Sequence, residues 1–275
     1  MMRYIKLVNF EINRFSKIYL SLLLITLVSQ FAGVIIVTKS LLNDARDIMK
    51  EERLSEAAYI TNYGSFDFNF IADTLLFVGP IALSAVALIF YIFLIWYRDW
   101  LGKNTFIYRL LMLPTSRLSI YLSKATAIFL MVLGLIAFQI IILPMENALF
   151  NSNVPQALLS EMSTFTITKL SPILSLIIPS TFTQFLLSYG IGLMIMSILF
   201  TAIMFERSFR IKGIIMGLLY CGIAAVLFLA PVLMEIGNFY FYPNELFSLM
   251  LAIGIILTGL SVWLGAWLLK NRVTV

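Results

Sequence analysis

Six apolar segments, each long enough to cross a lipid bilayer, constrain this chain more than any other feature of its sequence. A helix crosses the bilayer core with about 20 apolar residues, and it satisfies its backbone hydrogen bonds internally while doing so. The 275 residues are 61% hydrophobic and only 12% charged, whereas soluble domains average roughly 25% charged residues. We therefore predict an all-α integral membrane protein with a single transmembrane domain, residues 1–275.

The predicted spans differ in length. They cover residues 18–38, 70–97, 122–146, 173–204, 213–234 and 246–269. The fourth is longer than one crossing requires and contains Pro179, Gly190 and Gly192, residue types that kink or break membrane helices. Splitting this span would give seven crossings, which is the alternative to six.

The cationic residues are concentrated in segments that an even number of spans places on one side. With both termini inside, the inner segments hold 14 of the 19 Lys and Arg residues, and only 3 of the 14 acids. Cytoplasmic loops carry an excess of Lys and Arg, so we predict that both termini are cytoplasmic. The net charge of +5 then reflects topology and contact with anionic lipid, and we predict no nucleic-acid partner.

Residues 1–17 are predicted to form an amphipathic helix that lies in the inner membrane interface. At about 100° per residue, Ile5, Val8, Ile12 and Phe15 fall on one side and the cationic residues on the other. This arrangement is typical of interfacial helices. The alternative is a positively charged anchor before the first span.

The chain lacks the motifs of the common enzyme classes. It has no histidine and no phosphate-binding G-x-x-x-x-G-K-[ST] loop. It also lacks HExxH, CxxC and G-x-S-x-G. We therefore predict no catalytic residues, no metal site and no cofactor held by this chain.

Polar side chains are sparse within the spans. Gln30, Gln139 and Gln184 are predicted to bridge helices by hydrogen bonds, with a substrate path as the alternative. Asp73 and Glu146 are predicted to lie near the outer ends of their spans, where water reaches them. Ion-coupled carriers need a titratable or cation-coordinating centre. The sequence shows no convincing one, which argues against an ion-coupled carrier.

Small residues recur every fourth position in the fifth span. They are Gly213, Gly217, Cys221 and Ala225. Small side chains on one helix face allow a second helix to approach closely. We predict a packing face here, used either within the chain or between two copies.

The segment 98–124 is a long basic connector between the second and third spans. It carries five cationic residues and one acid, Asp99. Residues 104–113 are predicted to form a short amphipathic helix. Pro114 ends it, because the residue before a proline is disfavoured in the helical conformation.

This connector resembles the segment after the second span in ABC transporter permeases of the ABC type-2 family. The residues that carry the resemblance are Tyr97-Arg98-Asp99, Gly102, Thr105, Leu113-Pro114-Thr115-Ser116-Arg117, Tyr121 and Ser123-Lys124. The topology matches over the whole chain, but residue matches are confined to about 97–124. The resemblance implies a six-span subunit with an N-terminal interfacial helix and a coupling helix at about 104–113.

The resemblance also implies roles for individual residues. Those expected to contact a separate ATP-binding subunit are Thr105, Phe106, Tyr108, Arg109 and Met112. Those expected to support the coupling segment are Arg98, Asp99, Gly102 and Pro114. ATP and Mg²⁺ would be bound by that partner. The alternative to these roles is that three of the cations belong only to the excess of positive charge in cytoplasmic segments: Arg98, Arg117 and Lys124.

The function implied is that of a permease subunit in the bacterial cytoplasmic membrane. Two copies, as a homodimer or heterodimer, would pair with two ATP-binding subunits and export an amphipathic peptide, peptide antibiotic or lipid-like compound. One alternative is an ion-coupled carrier or channel acting alone, and another is a non-transporting immunity or anchor subunit. Longer family members have a re-entrant hairpin before the last span, and the short segment 235–245 predicts a reduced hairpin or none.

Overall fold

A computed structural model describes residues 2–100, 107, 110, 112, 116–237 and 240–272. Within these ranges the regular structure is helical, apart from one isolated bridge between Phe66 and Leu159. The helices are α1 (Met2–Glu51), α2 (Glu56–Tyr63), α3 (Asn69–Ala72), α4 (Leu75–Trp100), α5 (Arg117–Asn153), α6 (Thr164–Leu170), α7 (Pro172–Ile177), α8 (Phe182–Phe209), α9 (Ile211–Ile236) and α10 (Pro243–Asn271).

Six of the helices in the described part of the chain are long and apolar enough to cross a membrane. They correspond to Arg3–Glu51, Leu75–Trp100, Arg117–Asn153, Phe182–Phe209, Ile211–Glu235 and Asn244–Asn271. The predicted all-helical fold is therefore confirmed for the described residues, which include six candidate membrane-spanning helices. The helices extend beyond the predicted spans because the charged residues that flank an apolar segment are themselves compatible with a helix.

The first helix is continuous where the sequence predicted two elements. α1 runs without a break through the predicted boundary at residue 17 and continues to Glu51. It contains no proline, and its one glycine is Gly33, so no residue near that boundary interrupts the backbone ladder. Val8 and Phe15 are buried, whereas Ile5 is 57% exposed. The interfacial placement of residues 1–17 stays a prediction.

The fourth span is broken at the proline and not at the glycines. α7 ends at Ile177, and Ile178 is extended, with φ −107° and ψ 90°. This is the conformation that a following proline, here Pro179, favours. Gly190 and Gly192 lie inside the uninterrupted α8. Since α7 has only 6 residues, the break does not create a seventh span.

The segment before the last span is short. α9 ends at Ile236 and α10 begins at Pro243. Among the described residues between them, 237 and 240–242, none is helical. Asn238 and Phe239 lie outside the described residues.

The chain divides into two compact units. Unit 1 comprises Met1–Arg14, Leu88–Met131 and Phe182–Val275. Unit 2 comprises Phe15–Ala87 and Val132–Thr181. Both units are assembled from segments that are distant in sequence, so neither could be read as a domain from a local change in composition.

The core of unit 1 is built on aromatic contacts. Phe200 packs edge-on against Trp96 and Tyr121, with ring centroids 5.4 Å apart in both pairs. The Tyr121 hydroxyl donates to the Ser197 carbonyl oxygen at 3.0 Å, and the Thr201 hydroxyl donates to the Ser261 carbonyl oxygen at 2.7 Å. These buried hydroxyls therefore have partners and join α5, α8 and α10.

The small-residue face of α9 packs against α8. Arg210, with φ 54°, forms a one-residue turn between these helices, and the backbones are so close that side chains at Gly213 and Gly217 would meet α8. Ala225 was predicted on this face but is exposed, and Ala224 is buried in its place. A spacing of four residues drifts about 40° per step around a helix with 3.6 residues per turn, which carries Ala225 off the face.

The core of unit 2 is a separate apolar cluster. Phe68 packs edge-on against Phe77 and Phe150, with ring centroids 5.9 Å apart in both pairs. Val34 on α1 and Leu143 on α5 are fully buried in the same cluster. This cluster therefore joins α1, α3, α4 and α5.

We expect Gly213→Ala to lower the thermal stability of the purified protein in detergent. The added Cβ would lie 2.8 Å from the Cα of Glu206, and overpacking costs about 1–3 kcal/mol. Gly222→Ala is the matched control, since a Cβ at Gly222 on the same helix meets nothing within 4 Å. Equal melting temperatures for the two variants would contradict the close α8–α9 packing.

Candidate functional site

Five charged side chains converge in unit 1. They come from the amino-terminal part of α1, the carboxyl end of α4 and the first turns of α5. They are Glu11 and Arg14 on α1, Arg98 and Asp99 on α4, and Lys124 on α5. We call this set the ion cluster. It holds three cations and two carboxylates, so its formal net charge is +1.

Lys124 is the centre of the ion cluster. Its side chain is 0% exposed, and its ammonium nitrogen donates to Glu11 Oε1 at 2.7 Å, to Asp99 Oδ2 at 2.5 Å and to the Ile95 carbonyl oxygen at 3.0 Å. An ammonium group has three N–H donors, and all three have acceptors. The nitrogen also lies 5.1 Å from the centre of the Trp96 ring, within cation–π range.

The two arginines donate hydrogen bonds to the remaining carboxylate oxygens of the cluster. Arg14 donates to Asp99 Oδ1 at 2.6 Å, and Arg98 donates to Glu11 Oε2 at 3.2 Å. Each of the four carboxylate oxygens therefore has a cationic donor. Because a buried charge without a partner is strongly destabilising, this complete pairing makes the cluster compatible with burial.

The ion cluster fixes the place where the connector leaves the helices. Arg98 and Asp99 lie within the last three residues of α4, so the cluster holds that end of the connector. At its other end, Arg117, the first residue of α5, donates to the carbonyl oxygen of Leu269 and to that of Lys270, the latter at 3.2 Å. Both ends of the connector are thus tied to neighbouring helices.

A second set of contacts supports the end of α4. The Tyr97 hydroxyl donates to Glu206 Oε2 on α8. The guanidinium of Arg207 lies 4.6 Å from the Tyr97 ring centre and 5.5 Å from that of Trp100. Adjacent residues on α8 therefore bind the last turn of α4 through a hydrogen bond and cation–π contacts.

Within the connector the structure describes only a few residues. Ile107 and Leu110 are helical and buried, and Met112 is in a turn and 72% exposed. Several residues with predicted roles lie outside the described residues: Gly102, Thr105, Phe106, Tyr108, Arg109 and Pro114.

The three predicted glutamines are divided between the two units. Gln30 and Gln139 are both in unit 2, where the Gln30 amide nitrogen donates to Gln139 Oε1 and to the Phe77 carbonyl oxygen, at 3.2 Å each. Gln184 belongs to unit 1 and is half-buried on α8. Gln30 and Gln139 therefore join α1, α4 and α5 within unit 2.

One acid in the spans is placed differently from its prediction. Asp73 is exposed, as expected. Glu146, however, is 0% exposed, so water does not reach it at the outer end of its span as predicted. It lies on the same face of α5 as the buried residues Leu143 and Phe150, because positions three and four apart share a helix face.

The sequence did not reveal the ion cluster. Lys124 was interpreted as either a family residue or a mark of the cytoplasmic side, yet it is a buried partner of Glu11, 113 residues away. One signal was available: Glu11 is the only acid before Asp44, and it lies beside Val8 and Phe15 on the apolar face of its helix. An isolated acid on an apolar face calls for a cationic partner.

The described residues contain no group of three or more His, Cys, Asp or Glu side chains that could hold a metal ion. The ion cluster itself contains only two carboxylates, and both are saturated by cationic side chains. The arrangement is suited to positioning helices.

Comparison of the chain with known protein families, with curated proteins and with solved structures found no match in any of the three.

We expect Lys124→Met to destabilise the protein by about 3–5 kcal/mol, because it leaves Glu11 and Asp99 buried without their shared cation. Thermal unfolding of the purified protein in detergent measures the loss. Lys212→Met, at an exposed lysine, is the control and should be close to neutral. Adding Glu11→Gln and Asp99→Asn to Lys124→Met should recover part of the loss, and a triple variant no more stable than the single one would contradict the assigned charge pairing.

Proposed function

We propose that this chain is the membrane-spanning permease subunit of an ATP-driven transporter, energised by a separate ATP-binding subunit. The observation that carries the proposal is the tethering of the connector between the second and third spans. Its first end is held by Arg98 and Asp99 in the buried ion cluster, and its second by Arg117 at the carboxyl end of α10. When a partner subunit displaces a connector that is fixed at both ends, the displacement is transmitted to the helices that hold it.

The described residues of the connector support this role. Ile107 and Leu110 are buried while Met112 is exposed, which is the division between apolar and outward-facing sides expected of a short helix against the ends of the spans. Met112 belongs to the surface proposed to contact the ATP-binding subunit, with Thr105, Phe106, Tyr108 and Arg109 as the other members. Arg98, Asp99, Gly102 and Pro114 are the proposed supporting residues.

The proposed assembly contains two permease copies and two ATP-binding subunits in a bacterial cytoplasmic membrane, with the connector and both termini on the cytoplasmic side. ATP binding would draw the partner subunits together and displace the connectors. The permease contributes two conformations with different affinities for its cargo. We propose an amphipathic peptide, peptide antibiotic or lipid-like compound as that cargo, because the described interior of the spans offers few charged contacts for a small polar ion.

An ion-coupled carrier is a second candidate, favoured by one observation. Glu146 supplies a fully buried acid within a span, the kind of residue that commonly marks ion and proton pathways. Purified chain in sealed vesicles distinguishes the two candidates. Cargo movement driven by an ion gradient, with no ATP-binding subunit present, would favour the carrier, whereas movement only with the ATP-binding subunit and ATP would favour the permease.

We expect Arg109→Glu and Phe106→Ala to weaken binding of the ATP-binding subunit and to reduce ATP turnover about tenfold or more, since each change removes about 1.4 kcal/mol or more of contact energy. The measurement is co-purification with a candidate ATP-binding subunit, followed by ATP turnover in detergent or vesicles.

Arg46→Glu is the matched control for Arg109→Glu. Arg46 is an exposed arginine on α1 in a segment predicted to lie on the other side of the membrane, so the same charge reversal should leave assembly and turnover unchanged. If Arg109→Glu and Phe106→Ala also leave both unchanged, the connector is not the coupling segment.

A further inference from the structure

Unit 2 contains one ionisable group whose surroundings differ from those of every other buried charge in the described part of the chain. In the described part of the chain the buried charged residues are Glu11, Asp99, Lys124 and Glu146. The first three neutralise one another in the ion cluster. Glu146 is fully buried, and neither of its carboxyl oxygens has a hydrogen-bond partner among the described residues.

Apolar residues flank Glu146 along α5. Leu143 and Phe150, one turn away on either side along α5, are each 0% exposed and belong to the core cluster of unit 2. Phe68 and Phe77 contribute aromatic rings to the same cluster. An ionised carboxylate in such surroundings, without a counter-charge, costs several kcal/mol, whereas the neutral acid needs only one acceptor for its O–H group.

Two amides of unit 2 each donate one N–H group to Met162. Asn147, next to Glu146, donates its amide N–H to the Met162 carbonyl oxygen at 3.0 Å. Asn69 donates its amide N–H to the Met162 sulfur at 3.4 Å. These contacts set the orientation of both amides and leave Asn147 Oδ1 and Asn69 Oδ1 buried without a donor.

The sole buried cation among the described residues is not available to pair with the Glu146 carboxylate. Lys124 has its three N–H donors engaged by Glu11, Asp99 and the Ile95 carbonyl oxygen. Unit 2 thus has unpaired buried acceptors at Glu146 and Asn147 and no buried cationic side chain in its described part. A bound positive species would satisfy such a site, and the smallest is a proton.

We propose that Glu146 is a proton-binding site within the third span, occupied at neutral pH so that its side chain is a neutral carboxylic acid. The bound proton removes the cost of burying the charge and provides an O–H donor, and the adjacent residue Asn147 has an unpaired buried acceptor, Oδ1. The proposal does not rest on the proposed transport function, because it follows from the burial and pairing of unit 2 alone.

Infrared spectroscopy of the full chain in detergent tests this site. At about pH 7.5 ordinary carboxyl groups are ionised, so the C=O stretch of a protonated carboxyl group should come from Glu146 and not from the other 13 acids. We expect this band in the wild-type protein and its loss in Glu146→Gln, with an unchanged melting temperature. The matched control is Glu11→Gln, which should keep the band but lower the melting temperature, because Glu11 forms a buried ion pair with Lys124.

If Glu146→Gln does not fold, labelling the glutamates of the wild-type protein with ¹³C assigns the band. A shift on labelling supports Glu146, since the described glutamates other than Glu11, Glu146 and Glu206 are exposed, and both Glu11 and Glu206 are paired with cations. Absence of the band in the wild-type protein, or its persistence in Glu146→Gln, would overturn the proposal. Loss of the band when sodium replaces choline in the buffer would assign the site to a metal cation and would also overturn it.

Discussion

The burial of Lys124 between two carboxylates is the interaction on which the architecture of unit 1 depends. An ammonium group removed from water is strongly destabilising unless charge and hydrogen bonds compensate. Glu11 on α1 and Asp99 on α4 supply both at once. Because the three groups come from three helices, the pairing requires one relative placement of their ends, and the arginines complete it.

The placement of those ends determines what the connector can do. Its first residues, 98–100, belong to the last turn of α4, which is held by the ion cluster and by Glu206 and Arg207 on α8. The described start of the connector is therefore fixed to α1, α5 and α8. This property, together with a sequence that lacks a nucleotide-binding loop, makes a partner subunit the source of energy in our account.

The sequence predicted the helices better than the contacts between them. Length and hydropathy are local properties, so the six spans followed directly, and Pro179 marked the break before α8. The ion cluster pairs residues 113 positions apart, and no local pattern shows which acid meets which lysine. Glu146 was misplaced for the same reason: proximity to a span end suggested water, whereas the folding of α3 and α5 around one core excludes it.

The buried charged residues in the described part of the chain follow opposite rules in the two units. In unit 1 every carboxylate oxygen of the ion cluster has a cationic partner, so the region is saturated and positions helices. In unit 2 the carboxyl of Glu146 has no partner among the described residues. Carboxylates whose oxygens are all paired with cations favour a fixed arrangement of helices. A buried acid without a partner favours a site that binds and releases a ligand.

Photo-crosslinking at Met112 tests the central claim most directly, because this exposed residue lies within the connector itself. Met112→Cys in a Cys221→Ser background would carry a benzophenone-maleimide label, and Glu161→Cys, at an exposed position in a predicted outer segment, would serve as the comparison. We predict a crosslinked product with the ATP-binding subunit from position 112 and none from position 161. No product from position 112 in an assembled, ATP-hydrolysing complex would contradict the account.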